Sequence, residues 1–504
     1  MKKLLILSAL VFTLILTLTA CDFDSLFGGN VDHTHAFGEW KIIEDSTCTK
    51  DGIKVRSCAC GEIESGVVEK AHTYKDWVCT RCGYVLPGLF DADNNLVASW
   101  ETLVNDYGMD VSKDYEISNS SHADAPNYVL SYDKFSAGVK LVIADDVTSI
   151  GARAFWNCTQ LTSIIIPDSV TTIGKCAFYS CESLVSVEIG NGVTSIGQQA
   201  FYLCKSLKSV TIPDNVKSIE HYAFLECSSL AGVKIGKGVT SIGVAAFASC
   251  PSLTAISVDE NNEHYSSIDG NLYSKDGKSL IKYVEGKTDP YFVVPECVTS
   301  IEDESFYDCS SLVSVEIGKN VTNIGAYAFY YCSALAAFSV DENNENYCSI
   351  GGNIYSKDGK ALVRYAEGKT KTTFDIPDGV ITIGNGAFYN CQSLQAITIP
   401  DSVTSIGEDA FVQCFSLVSI TIPDGVTGIE AWAFSNCSSL TSIKIPSSVT
   451  SFGTWALYGC ESLSTISFDG TVEQWSVITK GENWNHSTGD YTVRCTNGTI
   501  PKSE

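Results

Sequence analysis

From Val147 onward, apolar and polar positions recur with a single period. Valine opens a unit at positions 147, 170, 193, 216, 239, 298, 321, 380, 403, 426 and 449, at steps of 23 residues apart from two steps of 59, which is 23 plus 36. A fixed period of this length marks a solenoid, because each unit can bury its apolar face only against copies of itself. One unit runs Val193-Thr194-Ser195-Ile196-Gly197, then Ala200-Phe201, Cys204, Leu207, Val210, Ile212 and Pro213. Val210 and Ile212 alternate with polar Thr211, the pattern of a short strand with one buried face. Val193 to Ile196 reads as a second extended segment, entered through the Pro-Asp turn. Ala200-Phe201 reads as a brief helical turn. Stacking sets like strands side by side in parallel ladders, and eleven such rungs at ~4.8 Å make a core roughly 50 Å long. The expected fold is mainly β: a solenoid of 23-residue units over 147–469 with short helical turns.

The two longer steps hold insertions near 259–297 and 341–379. Asn271 to Tyr283 reads as a β-hairpin about Asp276-Gly277, and Asn353 to Tyr365 repeats it about Asp358-Gly359. Both are expected to project as β-arms. Their leads, Asp259-Glu260-Asn261-Asn262 and Asp341-Glu342-Asn343-Asn344, lack the ligand spacing of a calcium loop. One cysteine per unit, from Cys158 to Cys460, is expected to face inward as a small packed thiol. The end units need covers. Residues 470–504, with Trp475 and Trp484, read as the trailing cap. Residues 87–146, with a short helix about Ser99 to Val104 and a strand at Lys140 to Ile143, read as the leading one.

The segments V-T-S-I-G, A-F-x-x-C and S-L-x-S-I-x-I-P resemble the BspA-like, or Treponema-type, leucine-rich repeat proteins. The resemblance covers about two thirds of the chain. Glu220, Glu302 and Glu430 depart from it at the glycine position, and Leu457 at the phenylalanine position. It implies a bacterial or protist surface protein whose known relatives adhere to host proteins or other cells. The fold does not name a ligand.

Ahead of the repeats lie a targeting segment and a small module. Lys2 and Lys3 precede the uncharged run Leu4 to Thr19, and Leu18-Thr19-Ala20-Cys21 resembles a bacterial lipobox. Residues 1–20 therefore read as a lipoprotein signal peptide, Cys21 as the lipidated residue that anchors the chain to the membrane, and 21–32 as a linker. Residues 33–86 crowd His33, His35, Cys48, Cys58, Cys60, His72, Cys79 and Cys82 together. The Cys79-x-x-Cys82-Gly83 knuckle suits one tetrahedral zinc in a zinc-ribbon-like module, with Cys60, Cys79, Cys82 and either Cys58 or His72 as ligands. Disulfides are the alternative staple, and metal analysis of the purified chain separates the two.

Charge narrows the function. With 33 basic and 59 acidic side chains the net charge is -26, which argues against nucleic acid as a partner. Catalysis finds no footing, since His221 and His264 are the only histidines between Val147 and Asp469 and neither belongs to the repeated motif. The residue after the motif phenylalanine is repeatedly aromatic, at Trp156, Tyr179, Tyr202, Tyr307, Tyr330, Tyr389 and Tyr458. Aromatic rings anchor interfaces, so these seven are the candidate binding residues for extracellular or cell-surface proteins. The plainer reading is that they cover neighbouring rungs, and a structural envelope spacer is the alternative function. The lipid anchor is open to a direct test: Cys21→Ala should move the protein from the membrane fraction into the soluble one, and a variant as firmly membrane-bound as wild type would make the segment an ordinary membrane helix.

Overall fold

The computed structural model describes residues 138–502 throughout, preceded by the strands Lys41–Glu44, Gly52–Ser57, Ile63–Val68, Tyr74–Lys75, Val78–Cys79, Gly88–Phe90 and Leu96–Ser99. The chain divides into two compact units, Met1–Leu86 and Pro87–Glu504. In the first, Lys41–Glu44, Gly52–Ser57 and Ile63–Val68 pair antiparallel in that order, and Val78–Cys79 pairs with Tyr74–Lys75.

In the second unit each 23-residue repeat makes one coil with three sides. The first side is a strand such as Ser209–Ile212, which pairs parallel with Gly232–Ile235 so that each residue lies opposite the one 23 places later. A two-residue strand forms the second side, as Ser195–Ile196 against Ser218–Ile219. Valine and isoleucine point inward from both, with Val210 and Ile212 buried and Thr211 exposed between them.

The third side is not the helical turn that the Ala-Phe pair suggests. Among the described residues the α-helix is Val472–Ser476, beyond the repeats. At each Ala-Phe corner the residues two before and two after the phenylalanine are left-handed, as at Arg153 and Asn157, both φ 59°. This alternation turns every second N–H along the solenoid axis. Arg153, Phe155 and Asn157 donate to the carbonyls of Lys175, Ala177 and Tyr179 in the next rung, at 2.8, 2.7 and 2.7 Å. The intervening residues close local turns, such as Ala154 to Gly151. A helix would keep all of these bonds inside the rung, whereas a stack can spend half of them on joining rungs. The left-handed, non-glycine residues are costly singly and persist because the ladder holds them.

Phenylalanine and cysteine complete each corner. The rings stack along the axis, Phe155 on Phe178 at 5.0 Å and Phe178 on Phe201 at 4.9 Å. Where a full rung precedes it, each thiol meets that rung's phenylalanine carbonyl, as Cys181 Sγ to Phe155 at 3.0 Å and Cys332 Sγ to Phe306 at 3.1 Å. Burial raises Cys227, Cys250 and Cys460, the last to about 12, so these stay protonated and able to donate. The expected inward, structural thiol column is therefore present, with all eleven repeat cysteines buried and free.

The insertions are not arms. Strand Asn271–Ser274 lies across the solenoid, with Leu272 in the core of the rungs before it and Tyr273 in the core of the rungs after it. Ile354 and Tyr355 do the same at the second insertion. The hairpin pattern identified the strands correctly, but the burial on both faces makes each one a partition between apolar cores. The returning strand then joins the stack: Ser279–Lys282 pairs parallel with Ser300–Ile301, and Tyr291–Val293 with Ser314–Ile317. Tyr283 stacks on Phe306 at 5.2 Å, in the place of the motif ring. The acidic leads build the base of each hairpin, because buried Asn262 donates to the Gly236 and Val239 carbonyls and accepts from the amides of His264 and Tyr265.

These shortened rungs lack the corner, so side chains supply its hydrogen bonds. Glu285 accepts from the backbone amides of Ser249 and Cys250 below, while its buried partner Lys282 donates to the Tyr307 carbonyl above. At the second insertion Arg364 donates to the Phe329 and Gly386 carbonyls, beside Glu367, which accepts from Asn390.

Both ends are covered. Gly88–Phe90 pairs antiparallel with Val139–Val142 and with Leu96–Ser99. Ser99, expected to begin a helix, ends this strand, and residues 100–104 lie outside those described. At the other end Thr471 and Gln474 form a reciprocal cap on the helix Val472–Ser476. Trp475 and Trp484 pack on Phe452 of the last repeat, at 5.7 and 4.6 Å, and Gly498–Pro501 closes the first sheet antiparallel to Thr492–Cys495.

Phe201→Ala should cost about 3–5 kcal/mol, because stacked rungs cannot collapse into the cavity. Deleting the 23 residues 403–425 should leave a shorter folded solenoid, whereas deleting about ten of them breaks the register and should unfold or aggregate. Thermal unfolding of both deletions decides this, and a native transition in the shorter deletion would refute the register. Glu367 gives the fold a pH dependence, because burial raises it from its ordinary 4.5 to about 7 in spite of Arg364 beside it. Between those values the folded chain keeps a proton that the unfolded chain has released, so stability falls as pH rises through that window and levels off above it. Glu367→Gln should therefore gain about 2–3 kcal/mol on wild type between pH 4.5 and 8. Denaturant unfolding at the two pH values measures this, and a constant difference would show that the ionised carboxylate carries no net penalty.

Candidate functional site: the aromatic face of the corners

The corner geometry that buries phenylalanine turns its neighbours outward. The seven aromatic residues named from the sequence stand on this face in three groups. Tyr179 lies between Trp156, at 6.1 Å, and Tyr202, at 4.7 Å, and the Tyr202 hydroxyl donates to Glu226 at 2.8 Å. Tyr307, Tyr330 and Tyr389 gather further along, and Tyr458 stacks on His486 at 5.8 Å near the trailing cap. Six of the seven are half-buried. Tyr330 is 4% exposed, so it serves as packing, and for that residue the plainer reading holds.

A second outward column lies two residues before the phenylalanine, at the left-handed position. It holds Tyr222, Tyr327, Trp432 and Trp455, together with Glu304 and Asp409. Trp432 and Trp455 stack at 5.3 Å. Its signal in the sequence is the recurring triplet of Tyr or Trp, Ala and Phe, as at Tyr222, Tyr327 and Trp432. Only a turn that alternates in handedness brings that position onto the same face as the residue after the ring.

The two columns meet in a cleft of about 430 Å³ beside the second insertion. Because the shortened rung has no corner, the corners on either side of it close up. Tyr330 and Tyr389 stack at 3.7 Å, and the Arg364 guanidinium lies 4.6 Å from the Tyr330 ring centre. Gly386 occupies the left-handed position here, φ 58°, where a Cβ would collide with the Tyr330 hydroxyl. Tyr389 donates to the Tyr331 hydroxyl at 2.7 Å, and Tyr327 donates to Asp409 at 2.8 Å across the insertion. Burial raises Glu304, and it raises Asp409 against the opposing hydrogen bond from Tyr327.

The other named site residues are placed less fully. Cys21, Cys58, Cys60, His72 and Cys82 lie outside the described residues, and of Cys79 only the backbone is described. Among the described residues no group of three or more His, Cys, Asp or Glu side chains is arranged to hold a metal ion, and no helix is long and apolar enough to cross a membrane.

Comparison with known proteins agrees with the repeat. The model of the BspA type leucine rich repeat region matches in six copies, over residues 140–275, 289–358 and 365–478. No curated protein matches the chain significantly. Among solved structures, a leucine rich cell surface protein from Faecalibacterium prausnitzii is 28% identical, with 73% of this chain and 98% of that one covered and a TM-score of 0.33. A leucine-rich repeat protein from Bacteroides ovatus is 26% identical, covering 76% and 100% at a TM-score of 0.30. One from Eubacterium ventriosum is 22% identical, covering 64% and 91% at 0.41. The family model spans more than half of the sequence, and the chain belongs to the BspA-type leucine-rich repeat family.

Proposed function

We propose that this chain is a cell-surface binding protein, exported by its leading segment, tethered through a lipid on Cys21, and adherent through its aromatic corner face to proteins of a host or a neighbouring cell. The observation that carries the reading is the half-buried state of Trp156, Tyr179, Tyr202, Tyr307, Tyr389 and Tyr458. Such rings are already held by their neighbours, so they offer a large contact area with little side-chain freedom left to lose. The strand face is poorer in rings: Thr211, Lys234, Glu316 and Thr398 are exposed and polar there, beside the exposed Tyr291. Membership of the repeat family supports a binding role over a catalytic one, because the solenoid and its trailing cover occupy the described residues 138–502.

The test is surface plasmon resonance of the soluble chain against a panel of extracellular matrix and bacterial surface proteins. For any saturable partner, the triple substitution of Trp156, Tyr179 and Tyr202 to serine should weaken binding by about ten-fold or more. Replacing Thr211, Lys234 and Glu316 with alanine should leave it unchanged. Binding insensitive to the aromatic triple would sink the proposed face, and a panel without any saturable partner would favour the envelope spacer.

A further inference from the structure

The cleft beside the second insertion has a one-sided chemistry. Five successive corners line it. Glu304, Glu408 and Asp409 supply carboxylates, Tyr327, Tyr389 and Trp432 supply rings, and no lysine or arginine is among its lining residues. The nearby Arg364 is buried and already committed to two backbone carbonyls and Glu367. Glu304 and Asp409 are held in partly desolvated positions, a cost that an arriving positive charge would relieve.

A separate observation points to a ligand in the same place. Ser435 stands at the position where seven of the eleven corners carry an aromatic ring, lines the cleft and is 0% exposed, yet its Oγ has no hydrogen-bond partner. A buried hydroxyl without a partner is unusual, because the fold carries its desolvation without return. Small Ser435 and Val412, in the column that holds Tyr307, Tyr330 and Tyr389 at the other three corners of the cleft, also leave the room that makes it.

We propose that this cleft receives an arginine side chain from an extended basic segment of a partner protein, with the guanidinium between the aromatic rings and the carboxylates and one of its N–H groups donating to Ser435 Oγ. Arginine fits better than lysine. Its planar head stacks on rings while its five donors reach separate acceptors in the plane. An extended segment fits better than a free small cation, because five rungs at ~4.8 Å run for roughly 20 Å, the length of about six extended residues. The chain's net charge of -26 would favour the encounter. This inference rests on the aromatic corner face being the binding face, and it names the partner chemistry at one point of it.

The probe is a fluorescein-labelled octapeptide with arginine at alternate positions between glycine and serine, titrated against the full chain by fluorescence anisotropy. Saturable binding is expected, weakened about ten-fold by Glu408→Gln with Asp409→Asn and also by Glu304→Gln, and about three-fold by Ser435→Ala. Thermal unfolding of each variant should match wild type, and the two carboxylate variants serve as independent checks should one of them lose stability. The same peptide with citrulline in place of arginine keeps the shape without the charge and should not bind. Equal binding of the citrulline peptide, or undiminished binding by both carboxylate variants, would overturn the inference. Free arginine amide binding as tightly as the octapeptide would overturn the extended segment. If the octapeptide fails while the aromatic triple still weakens a protein partner, the arginine assignment falls and the proposed function stands. If the octapeptide binds as expected while the triple has no effect, the cleft stands and the wider aromatic face falls.

Discussion

Every corner amide that cannot close a hydrogen bond inside its own rung must find a carbonyl in the next, and the rest of the molecule follows from that requirement. It fixes the period at 23 residues, because Phe155 can reach the Ala177 carbonyl only if each rung repeats the path of the last. It imposes two left-handed residues per corner, which tilt alternate N–H groups along the axis. It also leaves the phenylalanine carbonyl facing inward, where the next cysteine donates to it. Cysteine suits this place because it packs as a small apolar group and still offers a donor. Where the preceding rung is a shortened one there is no such carbonyl, and Cys309 and Cys391 have only longer contacts, to the Tyr307 and Tyr389 carbonyls of their own corners, at 4.0 and 3.8 Å.

The same requirement explains the most heavily buried charges in the solenoid. A shortened rung would leave the amides below it and the carbonyls above it without partners, a larger loss than the burial of one ion pair. Lys282 with Glu285, and Arg364 with Glu367, present acceptors and donors at the heights where a corner backbone would have presented them. The pairs are thus side-chain replacements for a missing rung. The crossing strands serve the apolar side of the same junction, each giving one side chain to either core.

The period, both strand positions, the inward phenylalanine and cysteine, and the tryptophans of the trailing cap were legible in the sequence, since each is an apolar residue at a fixed place in the repeat. The corner was misread as helical for a physical reason. Left-handed backbone announces itself through glycine, but here Arg153, Gln199, Glu226 and Trp432 adopt it, held by contacts between rungs that no single unit displays. The insertions were misread as arms because the hairpin signal at Asp276-Gly277 is local, while the destinations of Leu272 and Tyr273 depend on rungs before and after. The cleft was invisible for both reasons at once: it needs the handedness of the corner and the rung that the insertion shortens.

Because the backbone ladder and the inward column carry the stability, the outward corner positions are released from that duty. Tyr, Leu, Ala, Val and Ser follow the motif phenylalanine at 202, 225, 248, 412 and 435 without disturbing the stack. A surface of this kind can change its chemistry rung by rung while its spacing stays fixed, which is what recognition of an extended partner requires. The insertions add what strict repetition cannot. By dropping one corner they bring Tyr330 against Tyr389, and they set Asp409 in reach of Tyr327, 82 residues earlier in the chain. A perfect repeat would present only ridges. The broken one also encloses a space, and that space is where the rings, the carboxylates and the unpartnered hydroxyl converge.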